Sequence, residues 1–131
     1  MNTALPAHQE RGEGAEIGER TLQFAVRSVH LYQHLRTRNR NGSAAIGGQF
    51  LRCATSIGAN IAEAQCAESR KDFVHKMRIA QKEARECRYW LKLFIAADLI
   101  DTDRSSAILR ESDEILKVVS AIILSSHRSS N

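Results

Sequence analysis

A chain of 131 residues with 43 % apolar residues is long enough to bury one core, and its 5 % aromatic content and single proline favour helices over sheets. A net charge of +4 and a sequence pI near 9.3 make it mildly basic, well short of a histone-like polycation. No run approaches the roughly 20 apolar residues of a membrane span, the first sixteen residues are too polar for a secretory signal, and the three cysteines form no CxxC, so a cytoplasmic setting with reduced thiols and no membrane partner is expected.

Residues 1–16 hold Pro6, Gly12 and Gly14 and no apolar period, and are expected to be a disordered leader. The first helix is predicted from about Ile17 to Thr37. Its period runs through Leu22, Ala25/Val26, Val29, Tyr32/Gln33 and Leu35/Arg36, with Ile17 and Leu31 on the edges. Arg38-Asn39-Arg40-Asn41-Gly42 gives the stop, because Asn and Gly tolerate the left-handed cap and arginines suit the helix dipole.

Ser43 to Gly48 reads as a connection, with Ser43 as a possible cap. The second helix then carries Phe50, Ala54, Ile57, Ile61 and Ala64 on one face and a polar stripe of Arg52, Ser56, Asn60 and Glu63 on another, ending near Gln65 to Ala67. Glu68 to Lys71 forms a hinge, where Ser69 is placed to cap the third helix with Asp72 three residues on. That helix runs to about Asp98. Phe73, Met77, Ala80, Ala84, Cys87, Leu91 and Phe94 keep a heptad-like spacing without a proline or glycine. Asp101, Thr102 or Asp103 caps a fourth helix whose apolar positions are Ile108, Leu109, Ile115, Leu116, Val118, Val119, Ile122 and Ile123. Residues 126–131 are expected to fray. The fold class predicted is all-α: an antiparallel up-down-up-down four-helix bundle over residues 17–125.

Sites for chemistry are sparse. A di-metal bundle needs Glu-x-x-His on two helices, and Asp72-x-x-His75 is the only acid-x-x-His pair in a helix body. His30 and His34 stand at i, i+4 but lack the Glu of HExxH, so they read as surface histidines. There is no CxxCH, no Gly-x-Ser-x-Gly and no phosphate-binding glycine loop. Cys53, Cys87 and Met77 fall on or near apolar stripes and read as core. The expectation is a non-enzymatic protein with no cofactor and no metal. Asn60 and Glu63, on a helix of Ala and Ile, are expected to find partners on another helix or subunit, with Arg52, Arg85 and Glu86 as candidates.

Ser56-Ile57-Gly58-Ala59-Asn60-Ile61-Ala62-Glu63-Ala64 resembles the Ser-Ile-Pro-x-Asn-Ile-Ala-Glu-Gly signature of the bacterial four-helix-bundle family also called the 23S rRNA intervening-sequence proteins. Lys71-Asp72-Phe73, Ile79-Ala80, Glu83-Ala84-x-Glu86 and Tyr89-Trp90-Leu91 match its later run in order and spacing, so the resemblance covers about residues 20–125. Gly58 stands where the family usually has Pro, and Ala64 where it has Gly. The resemblance implies a ring-like homopentamer, with Ser56, Asn60, Glu63 and Glu86 as a structural signature. Members are encoded within insertions in ribosomal RNA genes or stand free in genomes. A related branch serves diversity-generating retroelements, where a basic pentamer binds nucleic acid and the reverse transcriptase. The family supplies no catalytic residues to carry over.

Trp90, Leu93 and Ile95 extend the apolar surface of the third helix, which points to an oligomer. At about 100° per residue, Arg78, Lys82, Arg85 and Arg88/Lys92 form a loose stripe opposite the apolar face of the same helix. Arg36, Arg38 and Arg40 add charge at the end of the first helix. Such a basic face suits RNA or DNA, and the low aromatic content argues for contacts to the backbone over base stacking. The leading expectation is an oligomeric scaffold associated with nucleic acid or ribonucleoprotein. The alternative is a protein-binding adaptor without nucleic-acid affinity.

Overall fold

Four helices make up the computed structural model, which describes the backbone of residues 9–38 and 43–129 and the side chains of 16–37 and 43–127. They are α1 (Gln9–Arg38), α2 (Ser43–Gln65), α3 (Arg70–Ala96) and α4 (Thr102–Ser129), and no strand occurs among the described residues. α1 packs on α2 and α4, and α3 packs on α2 and α4, while among the described residues the backbones of the diagonal pairs do not approach closely. Residue numbers rise on one helix as they fall on its neighbour. Gly18 meets Gln65 and Gly47 meets Tyr32, Glu63 pairs with Lys76 and Arg52 with Glu86, and Arg78 meets His127 while Arg88 meets Asp113.

Three boundaries differ from the sequence reading. α1 begins at Gln9, so part of the expected leader is helical, while residues 1–8 lie outside the described residues. α2 begins at Ser43, so the stretch read as a connection is its first two turns. Gly47 looks like a breaker but serves packing: a Cβ there would lie 3.2 Å from Cδ1 of Tyr32, so its absence lets α1 approach. α4 continues to Ser129, past the expected start of fraying. The predicted stop around Asn39 to Gly42 lies outside the described residues.

Two expected caps are in place. The Ser69 hydroxyl accepts from Asp72 N at 3.0 Å, and Asp101 Oδ1 accepts from Arg104 N at 2.8 Å. α3 ends in a Schellman turn: Asp98 takes φ 56°, its N–H reaches Ile95 O, and Leu99 N reaches Phe94 O at 2.9 Å.

The core confirms the stripes of α2 and α3 residue for residue. Phe50, Ala54, Ile57, Ile61 and Ala64 are buried, as are Phe73, Met77, Ala80, Ala84, Cys87, Leu91 and Phe94. On α4, Ile108, Ile115, Val119 and Ile123 are buried, and Leu109, Leu116, Val118 and Ile122 pack around them.

On α1 the buried face is rotated from the expected one, which it shares at Leu35 and at the edge residues Ile17 and Leu31. The buried residues are Ile17, Thr21, Phe24, Ser28, Leu31 and Leu35, whereas Leu22, Val26 and Val29 are 55 %, 41 % and 37 % exposed. Two polar residues hold core positions because their hydroxyls are satisfied within the helix. Thr21 Oγ1 donates to Ile17 O and Ser28 Oγ to Phe24 O, both at 2.8 Å. Hydropathy alone rotates the face toward Leu22 and Val26, and the back-bonded hydroxyls turn it the other way.

Candidate functional site

The polar stripe of α2 meets α3 in one ionic cluster. Arg52 Nη2 lies 2.5 Å from Glu86 Oε2 and its Nη1 3.3 Å from Glu83 Oε2. Glu86 Oε2 also accepts from Trp90 Nε1 at 3.1 Å. The indole hydrogen bond, followed by the Arg52 guanidinium, holds the Glu86 carboxyl below the ordinary carboxylate range. Glu63 reaches Lys76 Nζ of α3 at 3.6 Å, so this signature acid has its partner on another helix. Asn60 does not reach one. Its Nδ2 donates to Ser56 O at 2.8 Å and to Ser56 Oγ at 3.0 Å, both on its own helix. A half-buried amide with a carbonyl and a hydroxyl one turn back is satisfied locally. Arg85, a candidate partner in sequence, is exposed and takes no part in the cluster.

Cys53 Sγ and carboxylate oxygens of Glu83 and Glu86 lie within 4.8 Å of one another, a spacing that could suit a cation. The Arg52 guanidinium already pairs with both carboxylates, and Cys53 donates to Phe50 O. Burial, then the hydrogen bond with Cys53, pushes the Cys87 thiol well up. Both are buried core side chains, as the sequence suggests.

The basic residues divide by what they touch. Arg88 Nε lies 2.8 Å from Asp113 Oδ1 on α4, and Arg78 Nη2 lies 2.6 Å from His127 Nε2. Lys82, Arg85 and Lys92 are exposed and make no ion pair among the described residues. Lys71 and His75 continue their strip toward the start of α3, and Tyr89, 60 % exposed, stands inside it. No acid lies on this strip, because Asp72, Glu83 and Glu86 face the flanks. Arg36 is exposed, with its guanidinium 5.8 Å from the Tyr32 ring centroid. It sits on α1, diagonal to α3, so the two sequence-predicted basic groups do not share a face. The side chain of Arg38 and the whole of Arg40 lie outside the described residues.

Two features escaped the sequence reading. One is an apolar groove of about 440 Å³ between α1 and α2, lined by Leu22, Ala25, Thr55, Gly58, Ala59 and Ala62. Gly58, the family's usual proline position, faces Thr21 of α1, and a Cβ there would meet Thr21 Oγ1 at 3.4 Å, an ordinary van der Waals contact. Trp90 and Ile95, expected to be the surplus apolar surface, pack instead on the core. The helix-three patch is therefore partly covered within the chain, with Leu93 half-buried, and Leu22, Val26 and Val29 of α1 form a second, more exposed apolar patch.

The other is a fork linking α1 to α4. Arg20 Nε and Nη2 donate to Glu111 Oε2 and Oε1 at 2.8 and 2.7 Å. This hydrogen-bonded pairing holds the Glu111 carboxyl below its ordinary range. A carboxyl whose pKa falls on folding contributes stability above its unfolded pKa and loses it as pH drops through the folded value. The melting temperature is therefore expected to fall as pH drops below the ordinary value of 4.5. Glu111→Gln should lower it at neutral pH and flatten that acid limb, so that the two melting curves converge in acid. Parallel curves would show that the fork contributes nothing.

Among the described residues, no helix is long and apolar enough to cross a membrane. No curated protein matches the chain. A crystal structure of a protein of unknown function from the S23 ribosomal protein family of Bacteroides thetaiotaomicron is similar, with 42 % identity and a TM-score of 0.79 over 85 % of this chain and 97 % of that one. The family model of the 23S rRNA-intervening sequence protein matches residues 13–121, which takes in the whole of α2 and α3, most of α1 and α4, and the Ser56–Ala64 signature. The chain belongs to the 23S rRNA-intervening sequence protein family.

Proposed function

We propose that this chain is a non-enzymatic, cytoplasmic up-down-up-down bundle that assembles with copies of itself, as a pentamer, into a scaffold associated with nucleic acid or ribonucleoprotein. The observation that carries the reading is the outward strip of α3, where Lys82, Arg85 and Lys92 are exposed and make no ion pair among the described residues. Elsewhere Arg20, Arg52, Lys76, Arg88 and Lys117 are each matched to a carboxylate. Repeated in every subunit of a ring, an unmatched strip becomes a large field that suits phosphate backbones. Self-assembly is supported by the wet apolar residues Leu22, Val26 and Val29 beside the small-residue groove of α2. That same face favours the second reading, an adaptor that binds protein alone.

Light scattering combined with a binding titration separates the readings. The expected result is an oligomer that persists on dilution and that binds RNA or DNA with an affinity falling steeply as salt rises. A dilution-stable monomer would remove the assembly. Absence of retention at micromolar protein and low salt would leave the adaptor in front.

A further inference from the structure

Tyr89 is out of place on a solvating face. It is 60 % exposed, and its neighbours one turn away on the outward strip are Arg85 and Lys92, with Lys82 one turn beyond Arg85. Lys71, His75, Arg78, Lys82, Arg85, Tyr89 and Lys92 alternate spacings of four and three, which keeps them on one side of a helix. At 1.5 Å per residue the strip is about 31 Å long, and the cations flanking Tyr89 from Lys82 to Lys92 span about 15 Å. The ring is also held. It meets the Trp90 ring at 5.3 Å and 73°, Trp90 donates to Glu86, and Glu86 is held by Arg52. An aromatic ring fixed in this way and left wet loses little freedom when it takes a partner.

We propose that the outward face of α3 is a track for single-stranded RNA or DNA, with one base stacked on Tyr89 and the adjoining phosphates on Lys82, Arg85 and Lys92. The proposal deepens the nucleic-acid reading and rests on it. An acidic peptide would use the cations but has no planar face for the ring. A duplex offers phosphates but keeps its base faces inside the stack, so a ring projecting between the cations gains nothing from it. A single strand presents both groups. Composition alone points to purely backbone contacts because it counts rings, and the strip shows where one of them stands.

The test uses the full chain and a labelled oligo(dT) or oligo(U) of about 15 nucleotides, a length matched to typical single-strand site sizes, beside a duplex of equal length. Affinity is read by anisotropy at several salt concentrations, and emission is read from Trp90, the single tryptophan. The expected result is tighter binding of the single strand than of the duplex, with quenching of Trp90. Tyr89→Leu should weaken single-strand binding about fivefold or more while leaving the salt slope unchanged, and Tyr89→Phe should restore it. Binding by Tyr89→Leu equal to that of the parent, or a preference for duplex, overturns the stacking site and leaves the nucleic-acid reading standing. Displacement of the strand by polyglutamate at equal charge, with no effect of Tyr89→Leu, transfers the strip to acidic proteins. A parent that binds neither oligonucleotide nor duplex overturns both readings.

Discussion

Replacing Lys82 and Arg85 together by glutamate is expected to weaken nucleic-acid binding at least about 100-fold at low salt, because two charge-assisted contacts of about 1.5–3 kcal/mol each are lost and two repulsions added. Both side chains are exposed and neither makes an ion pair among the described residues, so the fold should not register the change. The slope of log affinity against log salt should become shallower by about 1.4, two phosphate contacts at about 0.7 each on a single strand. Charge reversal at Arg88 is the informative contrast. Arg88 is matched to Asp113 of α4, so its loss should disturb the α3–α4 pairing more than it alters binding. If the Lys82 and Arg85 variant bound as tightly as the parent, the strip would be a solvating face and the adaptor reading would gain.

Phe50→Ala should cost about 3–5 kcal/mol, a large part of the 5–15 kcal/mol by which a domain of this kind is usually stable. Phe50 is wholly buried and sets its ring edge against Phe94 of α3, with centroids 5.6 Å apart at 73°. Its removal leaves a cavity beside Phe94, where the start of α2 packs on the end of α3. Urea denaturation should show the midpoint moving sharply down. A shift worth less than about 1 kcal/mol would mean that the seam can collapse around the gap. Leu22→Ala is the comparison: with the side chain 55 % exposed in the single chain, the loss should be small in a monomer and grow only where a second copy covers it.

The legible part of this protein is its periodicity and its punctuation. The apolar spacings of α2, α3 and α4 name their buried faces without help from tertiary structure, because Ala, Ile, Phe and Leu have no other way to leave water. Ser69 and Asp101 announce the starts of α3 and α4, since a free first-turn N–H takes the nearest side-chain oxygen. The Ser56–Ala64 signature carries the family on sequence alone. The face of α1 is a tertiary decision: Thr21 and Ser28 read as polar, yet each hydroxyl closes on a carbonyl of its own helix and can enter the core, leaving Leu22 and Val26 outside. The pairing of Arg20 with Glu111 is equally hidden, because residues 91 positions apart meet only once the helices have packed. So is the division of the cations. Arg88 and Lys82 are alike in sequence, but only one has a carboxylate across the seam, and that neighbour is set by the packing angle of α4 rather than by anything in the local chain.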